Sequence, residues 1–209
     1  MEKIDLEWLS ATINSELDTG TISGKVLLGR LRLIDEDSRK TAPYLDNRYS
    51  PFYYYLGKHI NPLSVMEIGF SLGLLSASFF TSCKSAKTFF GYKDNSLDFT
   101  PTRIGKSNIN LRFKGDTKFY IGSVFDQEFI DKFSPNYWDL VILNDETLFD
   151  KHLEYLDAVW SQISEHGFIV AEYINRHIPA KDAFFAFCES KNRKPLVFPT
   201  RYGTGLLQK

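Results

Sequence analysis

The chain has 209 residues, enough for one ordinary domain, and its net charge of −1 provides no basic footprint for nucleic acid. Its apolar content of 43% and charged content of 24% are normal for a soluble globular protein. No run approaches the roughly 18 apolar residues of a membrane span, and the charged start of the chain lacks the apolar core of a signal peptide. Two cysteines are too few for a disulfide framework. We therefore expect a cytoplasmic protein with neither nucleic acid nor a membrane as its partner.

The first fifty residues predict a small helical extension before the main domain. Residues 3–17 carry apolar side chains at helical spacing, which predicts an amphipathic helix. Glycines and hydroxyl residues at 19–24 then end the pattern. The mixed stretch 26–34 is compatible with helix or strand, and the polar stretch 35–47 predicts a loop. We accordingly divide the chain into an extension, 1–50, and an α/β domain, 51–209.

From residue 51 onward, a predicted helix is followed by alternating strands and helices. Pro51 suits the first turn of a helix over 51–60. The predicted strands are 63–68, 87–92, 118–122, 138–143 and 167–173, and the predicted helices are 72–83, 126–133, 148–164 and 179–191. This alternation indicates a parallel sheet covered on both faces. The polar segment 95–117 predicts a surface loop, with Ile109–Phe113 as an optional extra strand.

Two short apolar runs close the chain. They span 195–200 and 204–208 and are separated only by Arg201-Tyr202-Gly203. A parallel return needs a dozen or more connecting residues, so these runs predict an antiparallel hairpin.

The most informative motif is Glu67-Ile68-Gly69-Phe70-Ser71-Leu72-Gly73, between the first strand and its helix. A glycine turn at this point aims backbone N–H groups and a helix N-terminus at one place, as a nucleotide-like ligand requires. Glu67 would repel a phosphate there and would attract a cation. The motif therefore favours a cationic ligand over a dinucleotide.

These features resemble the class I S-adenosylmethionine-dependent methyltransferases over roughly residues 50–209. The likeness is nearest to the small-molecule O-methyltransferases. Their first motif, acid-x-Gly-x-Gly-x-Gly, matches here with Ser71 in place of the middle glycine. The resemblance implies a Rossmann-like, doubly wound, mostly parallel sheet with an antiparallel C-terminal hairpin. It also implies S-adenosylmethionine as cofactor, with Glu67, Gly69, Phe70, Ser71 and Gly73 around its methionine end.

The resemblance assigns further cofactor contacts to three later strand ends. Asp94 falls 21 positions after Gly73 and is the candidate for the ribose hydroxyls, with Lys93 as the alternative occupant of the usual place of that acid. The alternative for Asp94 is a solvated turn. Ser123 and Val124 match the turn that packs on the adenine. Asn144 occupies the position of an acid beside the transferring methyl group.

Some members of the family bind magnesium through acids at the ends of the fourth and fifth strands. Asp145, Glu172 and Asn175 could approximate such a site, since oxygen ligands suit Mg²⁺. The acid pair typical of those members is absent, so we do not include a metal in the predicted site. The alternative for Glu172 is a surface pair with Arg176 or Lys181.

Aromatic residues precede the first strand, in a segment that family members often place over the pocket as a lid. Tyrosines there could stack on a planar acceptor. The alternative is that Phe52, Tyr55 and Leu56 pack their helix onto the sheet. The cluster comprises Tyr44, Tyr49, Phe52, Tyr53, Tyr54 and Tyr55.

The resemblance implies transfer of a methyl group to oxygen or nitrogen of a small-molecule substrate. A hydroxyl acceptor benefits from a general base, for which Asp145 is the first candidate and His152 the second. His152 is alternatively a half-buried helix residue. The departures at Ser71, Lys93 and Asn144 keep open a catalytically inactive scaffold or regulatory protein of the same fold. A homodimer is an open option.

Overall fold

The computed structural model describes residues 1–31, 42–46, 48–94, 100–122, 137–144 and 149–209. Within these residues, seven strands form one sheet with helices on both faces. None of the helices in this part of the chain is long and apolar enough to cross a membrane. Both cysteines, Cys83 and Cys188, are buried and free.

The predicted N-terminal helix is present as α1 (Leu6–Thr19). Asp5 caps it, because its carboxylate accepts from the backbone N–H groups of Glu7 and Trp8 at 2.9 and 3.1 Å. Gly20 ends it in a left-handed conformation, with φ of 62°. Leu9, Ile13 and Leu17 of α1 are buried in the main core, so the N-terminal segment packs directly on the α/β domain.

A short helix, α2 (Gly24–Leu28), and one turn of 3₁₀ helix (Ala42–Leu45) lead to α3 (Ser50–Ile60). Pro51 stands in the first turn of α3, as predicted. Gly57 lets α3 approach the following helix closely, because a Cβ there would lie 2.5 Å from the Phe79 carbonyl oxygen. This packing fixes the position of the tyrosines on α3.

The sheet confirms the predicted architecture. Its strands are β1 (Ser64–Ile68), β2 (Thr88–Asp94), β3 (Asp116–Gly122), β4 (Trp138–Leu143), β5 (Ile163–Ala171), β6 (Leu196–Phe198) and β7 (Thr204–Gln208). Their order is β3-β2-β1-β4-β5-β7-β6, in which β1 to β5 are parallel and β7 is antiparallel to both neighbours. The order reverses between β1 and β4, and ligands of open α/β sheets bind at such a point, beyond the carboxyl ends of the strands.

Four further helices cover the sheet: α4 (Leu74–Ser82), α5 (Thr100–Arg112), α6 (Phe149–Trp160) and α7 (Ile178–Ser190). Alternate strand residues point to opposite faces. Val65 of β1 packs in one core with α1, α3, α4 and α5, whereas Met66 packs in a second core with α6 and α7. The predicted helix 126–133 lies outside the described residues.

The predicted loop over 95–117 is wrong for most of its length, because α5 occupies residues 100–112. This helix buries small and polar residues, including Thr102, Gly105 and Asn108, with Ile109 as its buried aliphatic side chain. Such a face produces no apolar stripe of period 3.6, which is the signal that reveals most helices. The optional strand at Ile109–Phe113 is also wrong, because α5 extends to Arg112.

Candidate functional site

Three polar side chains stand at the carboxyl ends of neighbouring parallel strands. Glu67 is the fourth residue of β1, and Asn144 and Glu172 directly follow β4 and β5. Main-chain bonds set this alignment: Asn144 N donates to Ile68 O at 2.8 Å, and Glu172 N donates to Leu143 O at 3.0 Å. All three side chains face α3 and α4, as their hydrogen bonds show.

The glycine turn after β1 has the backbone that its sequence predicts. Gly69 and Gly73 have φ of 83° and 63°, values that side chains with a Cβ rarely adopt. Gly73 is the N-cap of α4 and brings no side chain to its first turn. The first N–H groups of α4 therefore face the same edge of the sheet as Glu67, where they are suited to bind a ligand.

The other residues of the turn are packed against α5. The Phe70 ring is fully buried, 5.1 Å from the ring of Phe119 between centroids. A Cβ on Gly105 would lie 2.1 Å from Ser71 O, and Asn108 Nδ2 donates to Leu72 O at 2.9 Å. Phe70 is thus a core side chain that contributes backbone to the turn, and α5 holds the turn in shape.

Glu67 is a buried carboxyl group without a basic partner in the described part of the chain. Its side chain accepts hydrogen bonds from the Ser76 hydroxyl on α4 and, at 3.2 Å, from Asn144 Nδ2. Burial raises the pKa of Glu67, and hydrogen bonds from the Ser76 hydroxyl, Asn144 and the Ser76 backbone lower it again in part. All of these donors are neutral, so a cationic group next to Glu67 would further favour its charged form.

Glu172 is equally buried and has a different set of partners. The Tyr53 hydroxyl on α3 and the Thr204 hydroxyl on β7 both donate to its Oε1, the second at 2.9 Å. Burial raises the pKa of Glu172 to about 7; Tyr53, Thr204 and Tyr49 oppose this shift, and the nearby charge of Glu67 adds to it. The alternative for Glu172, a surface pair with Arg176 or Lys181, is therefore wrong, since Glu172 lies inside the protein.

Tyrosine rings surround the end of β5 next to Glu172. Tyr49 contacts the rings of Tyr44, Tyr53 and Tyr202, with centroids 5.4, 6.1 and 5.7 Å apart. Tyr173 stacks on Tyr202 at 5.5 Å. These rings form the tyrosine cluster: Tyr44, Tyr49, Tyr53, Tyr173 and Tyr202. Phe52, Tyr55 and Leu56 are buried core residues. The alternative stated for them, that they pack α3 onto the sheet, is therefore confirmed.

The overall architecture matches solved structures of methyltransferases, whereas no protein-family model and no curated protein matches the chain. A methyltransferase from Geobacter sulfurreducens superimposes with a TM-score of 0.64 at 12% identity, covering 100% of this chain and 98% of that one. An O-methyltransferase from Bacillus cereus in complex with SAH gives 0.60 at 14% identity, covering 98% and 100%. An SAH-bound methyltransferase from Podospora anserina gives 0.60 at 12%, covering 99% and 97%.

The chain has the fold of the class I S-adenosylmethionine-dependent methyltransferases. In this methyltransferase fold, the buried Glu67 and the open first turn of α4 form an arrangement that fits a positively charged nucleoside. One observation of the site supports the fit in particular: Asn144 Oδ1 is buried and lacks a hydrogen-bond partner in the described residues. A buried acceptor of this kind calls for a donor, such as the ammonium group of the cofactor.

Of the remaining predicted cofactor residues, the structure describes only the backbone of Asp94. Asp94 is the last residue of β2 and therefore stands at the carboxyl edge of the sheet, but its side chain lies outside the description. Ser123, Val124 and Asp145 are themselves outside the described residues.

His152, the second candidate for a general base, lies on α6 and is fully buried. Burial and, to a smaller extent, the nearby His177 lower its pKa to about 4. Helix α6 packs on the face of the methyltransferase fold opposite to the one that Glu67 and Glu172 face. The structure therefore does not bring His152 together with these two carboxyl groups.

Asp145, one of the three candidate metal ligands, lies outside the described residues. Among the described residues, no three His, Cys, Asp or Glu side chains are grouped as a metal site. The backbone N–H of Asn175 donates to the Tyr202 carbonyl at 2.8 Å, which ties this segment to the loop between β6 and β7.

Sequence reasoning did not find Ser76, Tyr53 and Thr204 as partners of the two carboxyl groups. Ser76 lies nine positions after Glu67, within the first turn of α4, and could have been found from that spacing. Tyr53 and Thr204 come from opposite ends of the domain and meet Glu172 only through the fold. No local pattern signals either contact.

A surface cavity of about 1210 Å³ lies at the other edge of the sheet. It is lined by residues at the amino ends of β4 and β5, including Tyr137 and Ile163, and by the start of α1. It contains none of the predicted site residues. We therefore place the candidate site at the carboxyl edge, where the polar side chains converge.

Proposed function

We propose that the protein is an S-adenosylmethionine-dependent methyltransferase that transfers a methyl group to oxygen or nitrogen of a small-molecule acceptor. The observation that carries the proposal is the buried carboxyl group of Glu67 beside the glycine turn, at the switch point of a methyltransferase fold. The SAH-bound structures of similar fold support the choice of cofactor.

In this proposal each part of the carboxyl edge has a role toward the cofactor. Glu67 and the backbone of Gly69 to Gly73 hold the methionine end, and Asn144 supplies its unpaired Oδ1 to the same region. Asp94 binds the ribose, and Ser123 and Val124 contact the adenine. The cofactor supplies a methyl group already activated by a sulfonium.

The chain's own task is then to orient the acceptor against that methyl group. Correct placement of two reactants alone can supply several kcal/mol of the barrier. Buried aromatic side chains near Glu172 exclude water from this side of the site. For a hydroxyl acceptor, Asp145 is the base that the sequence favours, and Asp145→Asn with unchanged turnover would exclude it.

Calorimetric titration of the full chain with S-adenosylmethionine and S-adenosylhomocysteine tests the proposal. A methyltransferase binds both nucleosides with a stoichiometry of one per chain. The inactive scaffold that the departures at Ser71, Lys93 and Asn144 suggest would bind neither. Absence of binding would leave the architecture and exclude the enzyme.

A further inference from the structure

Helix α5 meets the glycine turn at two successive backbone carbonyl groups, those of Ser71 and Leu72. The Asn108 side chain is fully buried, and its Nδ2 donates to Leu72 O at 2.9 Å. Gly105 leaves room for Ser71 O, because a Cβ on that glycine would lie 2.1 Å from the oxygen. Both carbonyl groups are therefore directed at the same face of α5.

The direction of these carbonyl groups fixes the direction of two N–H groups. In a planar trans peptide, the C=O and the N–H of one unit point in opposite directions, and the described residues contain no cis peptide bond. The N–H of Leu72 therefore points away from Gly105, and the N–H of Gly73 points away from Asn108. Neither N–H donates to another backbone group of the described residues. Both are left as donors on the side of the turn that faces away from α5.

A glycine turn needs support of this kind because its backbone is adaptable. Gly69 and Gly73 border the segment with φ of 83° and 63°, and glycine populates positive and negative φ about equally. Without Asn108, the Leu72 carbonyl would lose its side-chain donor, and the peptide between Leu72 and Gly73 would turn more easily. A turn that spends part of its time in other conformations binds its ligand more weakly, in proportion to the competent fraction.

We propose that Asn108 is a positioning residue for cofactor binding, which holds the N–H groups of Leu72 and Gly73 towards the ligand through its bond to Leu72 O. This inference rests on the proposed function, in which the backbone of the turn holds the methionine end of the cofactor. Asn108 acts through the turn and needs no contact with the cofactor. Gly105 supports the same geometry, because it lets α5 lie directly against the turn.

A purely structural role of Asn108 would have a different consequence. The loss of a buried hydrogen bond lowers the stability of a protein whether or not a ligand site is affected. A positioning residue must also change the affinity of the chain that remains folded. The affinity of folded protein for the cofactor product therefore separates the two roles.

The test is calorimetric titration of S-adenosylhomocysteine into the full chain, with circular dichroism to confirm that each protein is folded. Asn108→Leu keeps the approximate size of the side chain and removes the donor. It should weaken binding about tenfold, as the loss of one hydrogen bond implies. Ile109→Val is the matched control, because Ile109 is the neighbouring buried residue of α5 and its side chain cannot form a hydrogen bond. It should lower the stability and leave the affinity unchanged.

Asn108→Asp adds a rescue by pH. At pH 8 its carboxylate has no proton to donate to Leu72 O, so the affinity should fall at least as far as in Asn108→Leu. Burial favours the protonated acid, which can donate, so at pH 5 the affinity should recover towards the wild-type value at that pH. Either variant decides the question if the other does not fold.

Wild-type affinity in the Asn108 variants at pH 8 would overturn the inference, as would an equal loss of affinity in Ile109→Val. A ratio of Asn108→Asp to wild-type affinity that does not change with pH would also overturn it. Failure of the wild type to bind S-adenosylhomocysteine would instead overturn the proposed function and, with it, the role of Asn108 in binding.

Discussion

Asn144 Nδ2 donates a hydrogen bond to Glu67 Oε1 at 3.2 Å, although the two residues are 77 positions apart in the sequence. The contact joins the carboxyl ends of β1 and β4, the two strands between which the sheet order reverses. An amide can donate to a carboxylate, whereas a second carboxylate at position 144 would repel it. Together with burial and Ser76, the residue at 144 therefore influences how readily Glu67 carries its charge.

We expect Asn144→Asp to destabilise the fold by about 1–3 kcal/mol at pH 8, because it removes a donor and places two carboxylates in contact. The loss should shrink at pH 5, where one of the pair takes up a proton. Urea unfolding at the two pH values measures the difference. Asn61→Asp is the matched control, since Asn61 Oδ1 only accepts, from Lys84 N and Ser85 N, and an aspartate can do the same. An equal loss in both variants would contradict the interpretation.

The glycine turn provides a second prediction. Gly73→Ala forces a Cβ into the left-handed region and within 3.0 Å of the Phe70 ring and 3.1 Å of Gly105 O. Gly20 has nearly the same φ, and a Cβ there meets nothing within 4 Å. Gly20→Ala should therefore cost only the backbone strain, about 1 kcal/mol, and Gly73→Ala about 2–3 kcal/mol.

Gly73→Ala should also weaken S-adenosylhomocysteine binding, because the displaced turn no longer presents the first N–H groups of α4. Gly20→Ala should not affect binding. Urea unfolding and calorimetric titration of both variants check the two expectations. Identical stability and affinity in the two variants would show that the turn around Gly73 is not held as tightly as the structure indicates.

Glu172 should make the protein less stable as the pH rises. Its pKa is about 7 in the folded chain against an ordinary value of 4.5, so between these values the unfolded chain loses a proton that the folded chain keeps. The contribution of Glu172 to the free energy of unfolding is complete below about pH 4.5. The free energy of unfolding then falls by roughly 3 kcal/mol as the pH rises through 7. Urea unfolding from pH 5 to 8 should show this slope in the wild type and a weaker one in Glu172→Gln. Parallel pH profiles would contradict the assignment.

His152 should act in the opposite direction. Burial lowers its pKa from 6.5 to about 4, so the unfolded chain gains a proton first as the pH falls. The contribution of neutral His152 to the free energy of unfolding is complete above about pH 6.5. The free energy of unfolding then falls by roughly 3 kcal/mol as the pH falls towards 4. His152→Gln should remove this acid sensitivity from the unfolding profile. An unchanged profile would mean that His152 is not buried as a neutral ring.

Much of the fold could be predicted from the sequence because its central strands, such as β1 and β4, are buried on both faces and read as apolar runs. Trp138–Leu143 begins and ends where the pattern predicts. Helix α5 could not be found in this way, since its buried face consists largely of Thr102, Gly105 and Asn108 rather than of large apolar residues. Tertiary packing against the glycine turn, not an amphipathic pattern, places that helix.

The candidate site, too, could be predicted from the sequence only in part. Glu67 could be found because an acid next to a glycine turn is a local signal with a physical meaning. The position of Glu172 at a strand end was also visible, but its burial was not, because Tyr53 lies 119 positions away and Thr204 lies on the last strand. Contacts that the sheet creates between distant segments leave no trace in either segment alone.

The most direct test of the account is calorimetric titration of S-adenosylhomocysteine into the wild type, Glu67→Gln and Glu165→Gln. Glu165 is an exposed residue of β5 and serves as the matched control. We predict that the wild type and Glu165→Gln bind with equal affinity and that Glu67→Gln binds at least about tenfold more weakly, since a charge-assisted hydrogen bond is lost. Equal affinity in all three proteins, or no binding by the wild type, would contradict the central claim that the buried Glu67 carboxyl group creates the nucleoside site.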